Sequence, residues 1–153
     1  MSTPEKALEK TLAGLKLATG MQVSEIMTTD VVTLEDSELL ATAARTMIEN
    51  RINGMIITHE GAPWSVLTSW DLLHVSYLES FSDKMDYLRT PLRDIIKEPH
   101  LEYLVPEASL ADAVRLISRH NQRTVPVLDG GKLIGLVSII DLVKVYDKLI
   151  LSK

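Results

Sequence analysis

The sequence predicts a mixed α/β (α+β) fold made of two copies of one strand, helix, strand, strand, helix unit. Three observations carry that expectation. Gly135-Leu136-Val137-Ser138-Ile139-Ile140-Asp141 echoes Ser65-Val66-Leu67-Thr68-Ser69-Trp70-Asp71, and the same offset of seventy matches Leu34 with Leu104, Leu40 with Leu110, Ala43 with Ala113, Arg45 with Arg115, Gly61 with Gly131 and Leu72 with Leu142. Within each copy, short β-rich runs alternate with apolar residues at helical spacing. A chain of 153 residues without cysteine is long enough to bury a core unaided, since about 70% of the unfolded surface is buried at that length. A repeat this long is normally one supersecondary unit whose apolar face needs its neighbour's, so two copies point to one pseudo-symmetric domain.

Residues 1–20 read as an N-terminal amphipathic helix. Thr3 is a capping hydroxyl, Pro4 suits the first helical position, Gly20 is the stop, and Leu8, Leu12 and Leu15 form a narrow stripe. That stripe packs on its own domain or is exchanged with a second subunit; the pattern fits both. Residues 21–80 hold the first copy. Val31 to Leu34 is a strand, and Leu40, Ala43, Ala44 and Met47 line a helix behind Ser37 as its candidate cap. Asn53-Gly54 breaks that helix, Met55 to Thr58 and Trp64 to Leu67 are strands, and the turn between them contains Gly61. Tyr77, Leu78, Phe81, Met85 and Leu88 continue a helical pattern through the connector, residues 81–91, which Pro91 ends.

Residues 92–153 hold the second copy. Leu110, Ala113, Val114 and Ile117 line a helix, Thr124 to Leu128 is a strand, Asp129-Gly130-Gly131-Lys132 is a hairpin turn, and Leu133 to Val137 is the returning strand. Asp141 opens a last helix. Pro126 lacks an N–H, which argues for an edge strand or one beside an opening.

Charge and composition exclude several classes. The net charge of −5 without a basic stripe does not suit nucleic-acid binding. No apolar run approaches the roughly 18 residues of a membrane span, and the mixed-charge start lacks a signal-peptide pattern. A cytoplasmic location and no membrane association are the expectation. His59, His74, His100 and His120 lack metal-ligand spacing, so no metal site is expected and the histidines read as surface or helix-end residues. No nucleophile, base and orienting group can be assembled, so no catalytic residues are assigned. Trp64 and Trp70 flank the first motif, where core or rim packing competes with stacking on a base.

The chemistry concentrates at Thr68-Ser69-Trp70-Asp71 and Ser138-Ile139-Ile140-Asp141. In each, a hydroxyl residue ends a strand and begins a helix, where backbone N–H groups and the helix dipole favour a phosphate. The aspartate in the first turn is an acceptor-only group suited to the two hydroxyls of a ribose. Ser/Thr-x-x-Asp is equally a capping box that needs no ligand. Arg123 stands before the strand beside the second helix start, as a phosphate-facing cation or a solvated surface charge.

These residues resemble the cystathionine-β-synthase (CBS) domain, which occurs in tandem pairs called Bateman modules. The resemblance covers about residues 21–150. It rests on Val23-Ser24-Glu25-Ile26-Met27 with Leu92-Arg93-Asp94-Ile95-Ile96, on Arg123-Thr124-Val125-Pro126-Val127, and on the two Thr/Ser-x-x-Asp endings. It implies a βαββα fold in each half, two three-stranded sheets about a pseudo-twofold axis, and a homodimer of pairs. It also implies AMP, ADP or ATP as regulatory ligand in clefts between the halves, with no other cofactor. The residues carried over are Asp141, Ser138, Arg123, Thr124, Pro126 and His120 in the second copy and Asp71 and Thr68 in the first. Asn53, Ile56 and Ser65 stand where the second copy has Arg123, Pro126 and Gly135, so the second copy is expected to bind more tightly. The resulting expectation is a non-catalytic module that senses an adenine nucleotide and signals to an unidentified regulated protein. The alternative is a ligand-free dimerisation or scaffold module whose motifs are only caps.

Overall fold

A computed structural model describes residues 3–7, 20–78, 84–120 and 123–151. They divide into two compact units, one of residues 32–101 and one combining residues 1–31 with residues 102–153. Each unit therefore joins most of one copy to the opening segment of the other. Thr3 caps the first helical residues as expected, its hydroxyl accepting the Lys6 N–H at 3.2 Å. Leu8, Leu12, Leu15 and Phe81 lie outside the described residues.

In the first unit, β1 (Thr33–Glu35), β2 (Gly54–His59) and β3 (Ala62–Thr68) form a three-stranded sheet in that order, β2 parallel to β1 and antiparallel to β3. The central strand is buried continuously from Gly54 to Ile57, as a strand covered on both faces must be. Its helices are α1 (Leu40–Asn50), α2 (Ser69–Leu78), α3 (Lys84–Leu88) and α4 (Leu92–Ile95). Leu40, Ala43, Met47, Met55, Ile57, Leu67, Leu72, Leu92 and Ile95 form the core. The helical spacing in the sequence thus picked the buried face of α1, but not its ends. Ser37 does not cap: Leu39 precedes the helix without a side-chain cap, and the Leu40 N–H donates to the Thr90 carbonyl at 3.0 Å. A backbone partner from the chain before α4 makes a capping hydroxyl unnecessary. At the other end Arg51, not Asn53-Gly54, terminates α1 in a left-handed conformation (φ 53°, ψ 47°), and Gly54 already belongs to β2.

In the second unit, β4 (Thr124–Asp129) and β5 (Lys132–Ser138) form a hairpin, accompanied by a 3₁₀ turn (Val23–Glu25), α5 (Leu110–His120) and α6 (Ile139–Leu151). Val23, Leu104, Leu110, Ala113, Val114, Val125, Val127, Val137, Leu142 and Val145 fill its core. The expected third strand is reduced to a single parallel bridge, Leu104 with Val127. Two prolines explain the loss. In the first unit the same register continues through Thr33 opposite Ile56 and through the Asp36 N–H on the Thr58 carbonyl at 2.8 Å. The equivalent donors in the second copy would be residues 126 and 106, both proline, and neither has an N–H to give. Only the bonds on either side of Leu104 survive, to the Pro126 carbonyl and from the Leu128 N–H, each 2.9 Å.

β4 is an edge strand of a two-stranded sheet, as the proline suggests, and Pro126 does not face an opening. It is buried with the Leu104 N–H on its carbonyl. It sits opposite Leu136, whose own N–H and carbonyl are both bonded to Thr28, so the missing donor costs the hairpin nothing.

At the end of β1, buried Asp36 is hydrogen-bonded through Oδ2 to His59 Nδ1 at 2.8 Å, clipping β1 to the β2–β3 hairpin. That hydrogen bond is the main cause that holds His59 above its ordinary value of 6.5; desolvation opposes it, and the charges of Asp36, Glu60 and Glu35 add to it. A folded-state value above the unfolded one gives stability that is complete below about pH 6.5 and disappears as pH rises through the folded value. His59→Gln should therefore lower the melting temperature most at about pH 5.5 and least at about pH 8.5, by paired thermal melts.

Candidate functional site

The two Thr/Ser-x-x-Asp motifs occupy the same place in their units, where a returning strand becomes a helix. In the second unit Ser138 ends β5 and Ile139 begins α6, and the Ile139 N–H donates to the Arg123 carbonyl at 3.3 Å. Thr124 pairs with Ser138 across the hairpin. Arg123, Thr124, Ser138 and Asp141 are thus gathered at one helix start, with Arg123 exposed and Asp141 buried. Pro126 lies deeper in the sheet. The backbone of His120 ends α5, and its side chain lies outside the described residues.

Both oxygens of the Asp141 carboxylate accept hydrogen bonds. The Ser138 N–H and hydroxyl donate to its Oδ2 at 3.0 and 3.1 Å, and the Asp141 N–H donates to Ser138 Oγ at 3.3 Å, a capping box. The Thr28 hydroxyl donates to both carboxylate oxygens, 3.2 and 3.3 Å away. Thr28 arrives there because it adds to the free side of β5 by two reciprocal backbone bonds with Leu136, 2.8 and 2.9 Å. Gly135 permits the approach: a Cβ on it would lie 2.6 Å from Met27 Sδ and 3.1 Å from the Thr28 carbonyl.

The first unit repeats the plan with different contacts. The Thr68 N–H donates to Asp71 Oδ2 at 2.8 Å, the Asp71 N–H donates to Thr68 Oγ1 at 3.1 Å, and the Ser69 N–H donates to the Asn53 carbonyl at 2.8 Å. Asn53 thus plays the backbone role of Arg123 and lacks its cation. Among the described residues, Asp71 Oδ1 has no hydrogen-bond partner. The opening segment of the second copy joins β3 three residues later than its counterpart, through the Val66 N–H on the His100 carbonyl at 3.0 Å. The His100 N–H reaches Ser65 Oγ at 3.2 Å instead of a backbone carbonyl. Ser65, where the second copy has glycine, therefore inserts a hydroxyl between strand and segment. Beside it lies a cleft of about 360 Å³, lined by Ser65, Val66, Leu67, Asp71, His74, Ile95, Ile96, Lys97, Glu98 and His100. Its size lies within the roughly 300–1,000 Å³ of small-molecule sites.

The opening segments supply side chains that spacing alone did not single out: Thr28 in one unit, Lys97, Glu98 and His100 in the other. The only signal for them was that both openings resembled each other. A third Ser-x-x-Asp also escaped notice. Ser109 and Asp112 form the same reciprocal box at the start of α5, both bonds 3.0 Å. The Ser109 N–H chiefly holds the Asp112 carboxyl below its ordinary value, with Arg115 adding to the effect. Trp64 packs half-buried against the core, whereas Trp70 is exposed on α2 and is not part of the cleft wall. Among the described residues, no group of three or more acidic or histidine side chains is placed to hold a metal ion, and no helix is long and apolar enough to cross a membrane.

A family model of the CBS domain matches residues 23–77 and 92–148. An uncharacterized protein from Methanocaldococcus jannaschii is 29% identical over 138 residues, 84% of this chain and 32% of its own length. The chain thus spans about a third of that relative. A signal-transduction protein with CBS domains from Burkholderia ambifaria superposes with a TM-score of 0.73 at 28% identity, over 82% of this chain and 93% of its own. CBSX2, solved in complex with AMP, superposes with a TM-score of 0.71 at 22% identity, over 85% of this chain and 98% of its own, a likeness of fold.

The two motif aspartates should differ in structural weight. Asp141→Asn disturbs the box and the Thr28 hydroxyl bonds, whereas Asp71→Asn disturbs only a box. Hydrogen bonds to a charged group contribute about 1.5–3 kcal/mol, so urea unfolding should show Asp141→Asn as the more destabilised variant by about 1–3 kcal/mol.

Proposed function

This chain belongs to the CBS domain family, and we propose that it is a non-catalytic regulatory module that binds an adenosine-containing nucleotide and signals occupancy to a partner protein. The observation that carries the reading is the cleft at the start of α2, where Asp71 presents a carboxylate oxygen with no hydrogen-bond partner among the described residues beside about 360 Å³ of space. Such an oxygen suits a ribose hydroxyl, and Val66, Leu67, Ile95 and Ile96 supply apolar wall for a base. The AMP complex of CBSX2 is a property of that protein; it gives AMP, with ADP and ATP, as the first ligands to try. Binding shifts a population only through a difference in affinity between two states of the module.

In this reading the preference between copies is the reverse of the one the sequence suggests. The sequence favoured the second copy for its Arg123, but the Asp141 carboxylate already takes the Ser138 and Thr28 hydroxyls. The first copy is the better ligand site in this reading. Arg123, Thr124, Ser138, Asp141 and, by its position in the chain, His120 make up a second site in this proposal, where a ligand competes with Thr28 for the carboxylate. We also propose a homodimer. Trp70 and Leu73 on α2 and Ile140 and Val143 on α6, matched pairwise by the repeat, are all exposed, and apolar rows of this kind are interface surface.

A second reading has its own support. Three Ser/Thr-x-x-Asp boxes cap three helices through bonds within the chain alone, which fits a ligand-free scaffold. A thermal-shift series with AMP, ADP and ATP separates the two. A ligand at 100 times its Kd adds about 2.7 kcal/mol of stability, so the sensing reading expects a rise of several degrees that Asp71→Asn abolishes. No shift with any of the three favours the scaffold.

A further inference from the structure

We infer that the Asp36–His59 pair is a proton-operated latch within the first unit: with His59 protonated it holds the turn after β1 on which α4 is seated, and loss of the proton loosens that seat. The inference does not depend on which ligand the chain takes. Turn and helix are joined through their backbones. The Leu92 N–H donates to the Glu38 carbonyl at 2.8 Å, the Arg93 N–H to the Asp36 carbonyl at 2.9 Å, and the Leu40 N–H to the Thr90 carbonyl at 3.0 Å. Asp36 is therefore used twice: its carbonyl seats the first turn of α4, and its carboxylate grips His59 at the end of β2. Ile95 at the end of α4 and Ile96 after it line the cleft beside Asp71, so a looser seat is felt at the cleft wall.

The repeat contains its own control. The second unit keeps the same seat, with the Val23 N–H on the Ala108 carbonyl at 2.9 Å and the Ser24 N–H on the Pro106 carbonyl at 3.2 Å. There Pro106 stands for Asp36 and Asp129 for His59, so the place of the latch is taken by a proline, which restricts the turn through its ring and does not titrate. In the first unit the His59 side chain is 52% exposed and that of Asp36 only 8%, which leaves the imidazole open to protons and its partner sheltered. Among the described residues, the charged groups that act on the imidazole are all acids: Asp36 and Glu35 at the end of β1, and Glu60 in the hairpin turn, its Oε1 4.0 Å from Nε2. Trp64 of β3 brings an uncharged ring to 6.0 Å. Glu35 also ties the turn, its Oε1 accepting the Gly61 N–H at 2.7 Å. All three carboxylates favour the imidazolium. A neutral ring can still donate from Nδ1 to Asp36, but an uncharged donor makes the weaker bond, so the latch slackens and does not part.

Amide hydrogen exchange on the whole chain tests this, read by NMR between about pH 5.5 and about pH 8.5 and expressed as protection factors, for the wild type, His59→Gln and Asp36→Asn. In the wild type, protection of the Leu92 and Arg93 amides should fall by about threefold or more as His59 loses its proton. In both variants those amides should keep a level that pH does not change, and Val23 and Ser24, which make the matching bonds in the second unit, should not respond in any of the three proteins. Protection of Leu92 and Arg93 that is indifferent to pH in the wild type, or a fall that persists in either variant, overturns the latch. A fall shared equally by Val23 and Ser24 or by the amides of the β2–β3 ladder also overturns it, because the proton then acts on global stability and not on the seat of α4.

Discussion

The two backbone hydrogen bonds between Thr28 and Leu136 hold the second unit in the form that matters. They attach a segment from near the start of the chain to a strand more than a hundred residues later, and they carry the Thr28 hydroxyl onto the motif aspartate. The rest of that segment follows from the same attachment. Val23 is buried in the core, its N–H on the Ala108 carbonyl at 2.9 Å, and Gln22 bridges to Ser109 beside the α5 cap. Without this strand addition, β5 would present a bare edge and Gly135 would have no reason to be glycine.

The first unit shows what happens when that attachment is loosened. Ser65 takes the place of glycine, the segment joins three residues later, and its backbone N–H reaches a side-chain hydroxyl. The residues that slip past β3 are Lys97 and Glu98, which become cleft wall. One small difference in strand pairing therefore gives the two motif aspartates of a shared scaffold chemically distinct surroundings. One has a closed carboxylate held by two hydroxyls, the other an open carboxylate beside a charged loop.

Much of this was legible in the sequence because it is local. The β-rich runs, the helical spacing of Leu110, Ala113 and Val114, the Gly130-Gly131 turn and the capping geometry of Ser138 and Asp141 each depend on neighbours within a few positions. The missed features depend on distant partners. Ser37 is a sound candidate cap until the Thr90 carbonyl satisfies the same helix start. The loss of the third strand was written in Pro106 and Pro126, but only the register of Leu104 against Val127 shows that both prolines fall on donor positions. Nor could spacing say that each copy's opening segment serves the other copy's motif, since that exchange leaves no periodic trace.

The central claim is that close approach of the first opening segment at Gly135 organises the second unit, and a double-mutant cycle tests it most directly. Gly135→Ala places a Cβ against Met27 Sδ and Cγ, 2.6 and 2.9 Å away, and overpacking of this kind costs about 1–3 kcal/mol. Met27→Ala removes the atoms it strikes. Denaturant unfolding of both single variants and the double variant should give a double variant more stable than the sum of the two losses predicts, by about 0.5 kcal/mol or more. Strict additivity would mean that residue 135 and the opening segment do not touch, and the account of how Thr28 reaches Asp141 would fail.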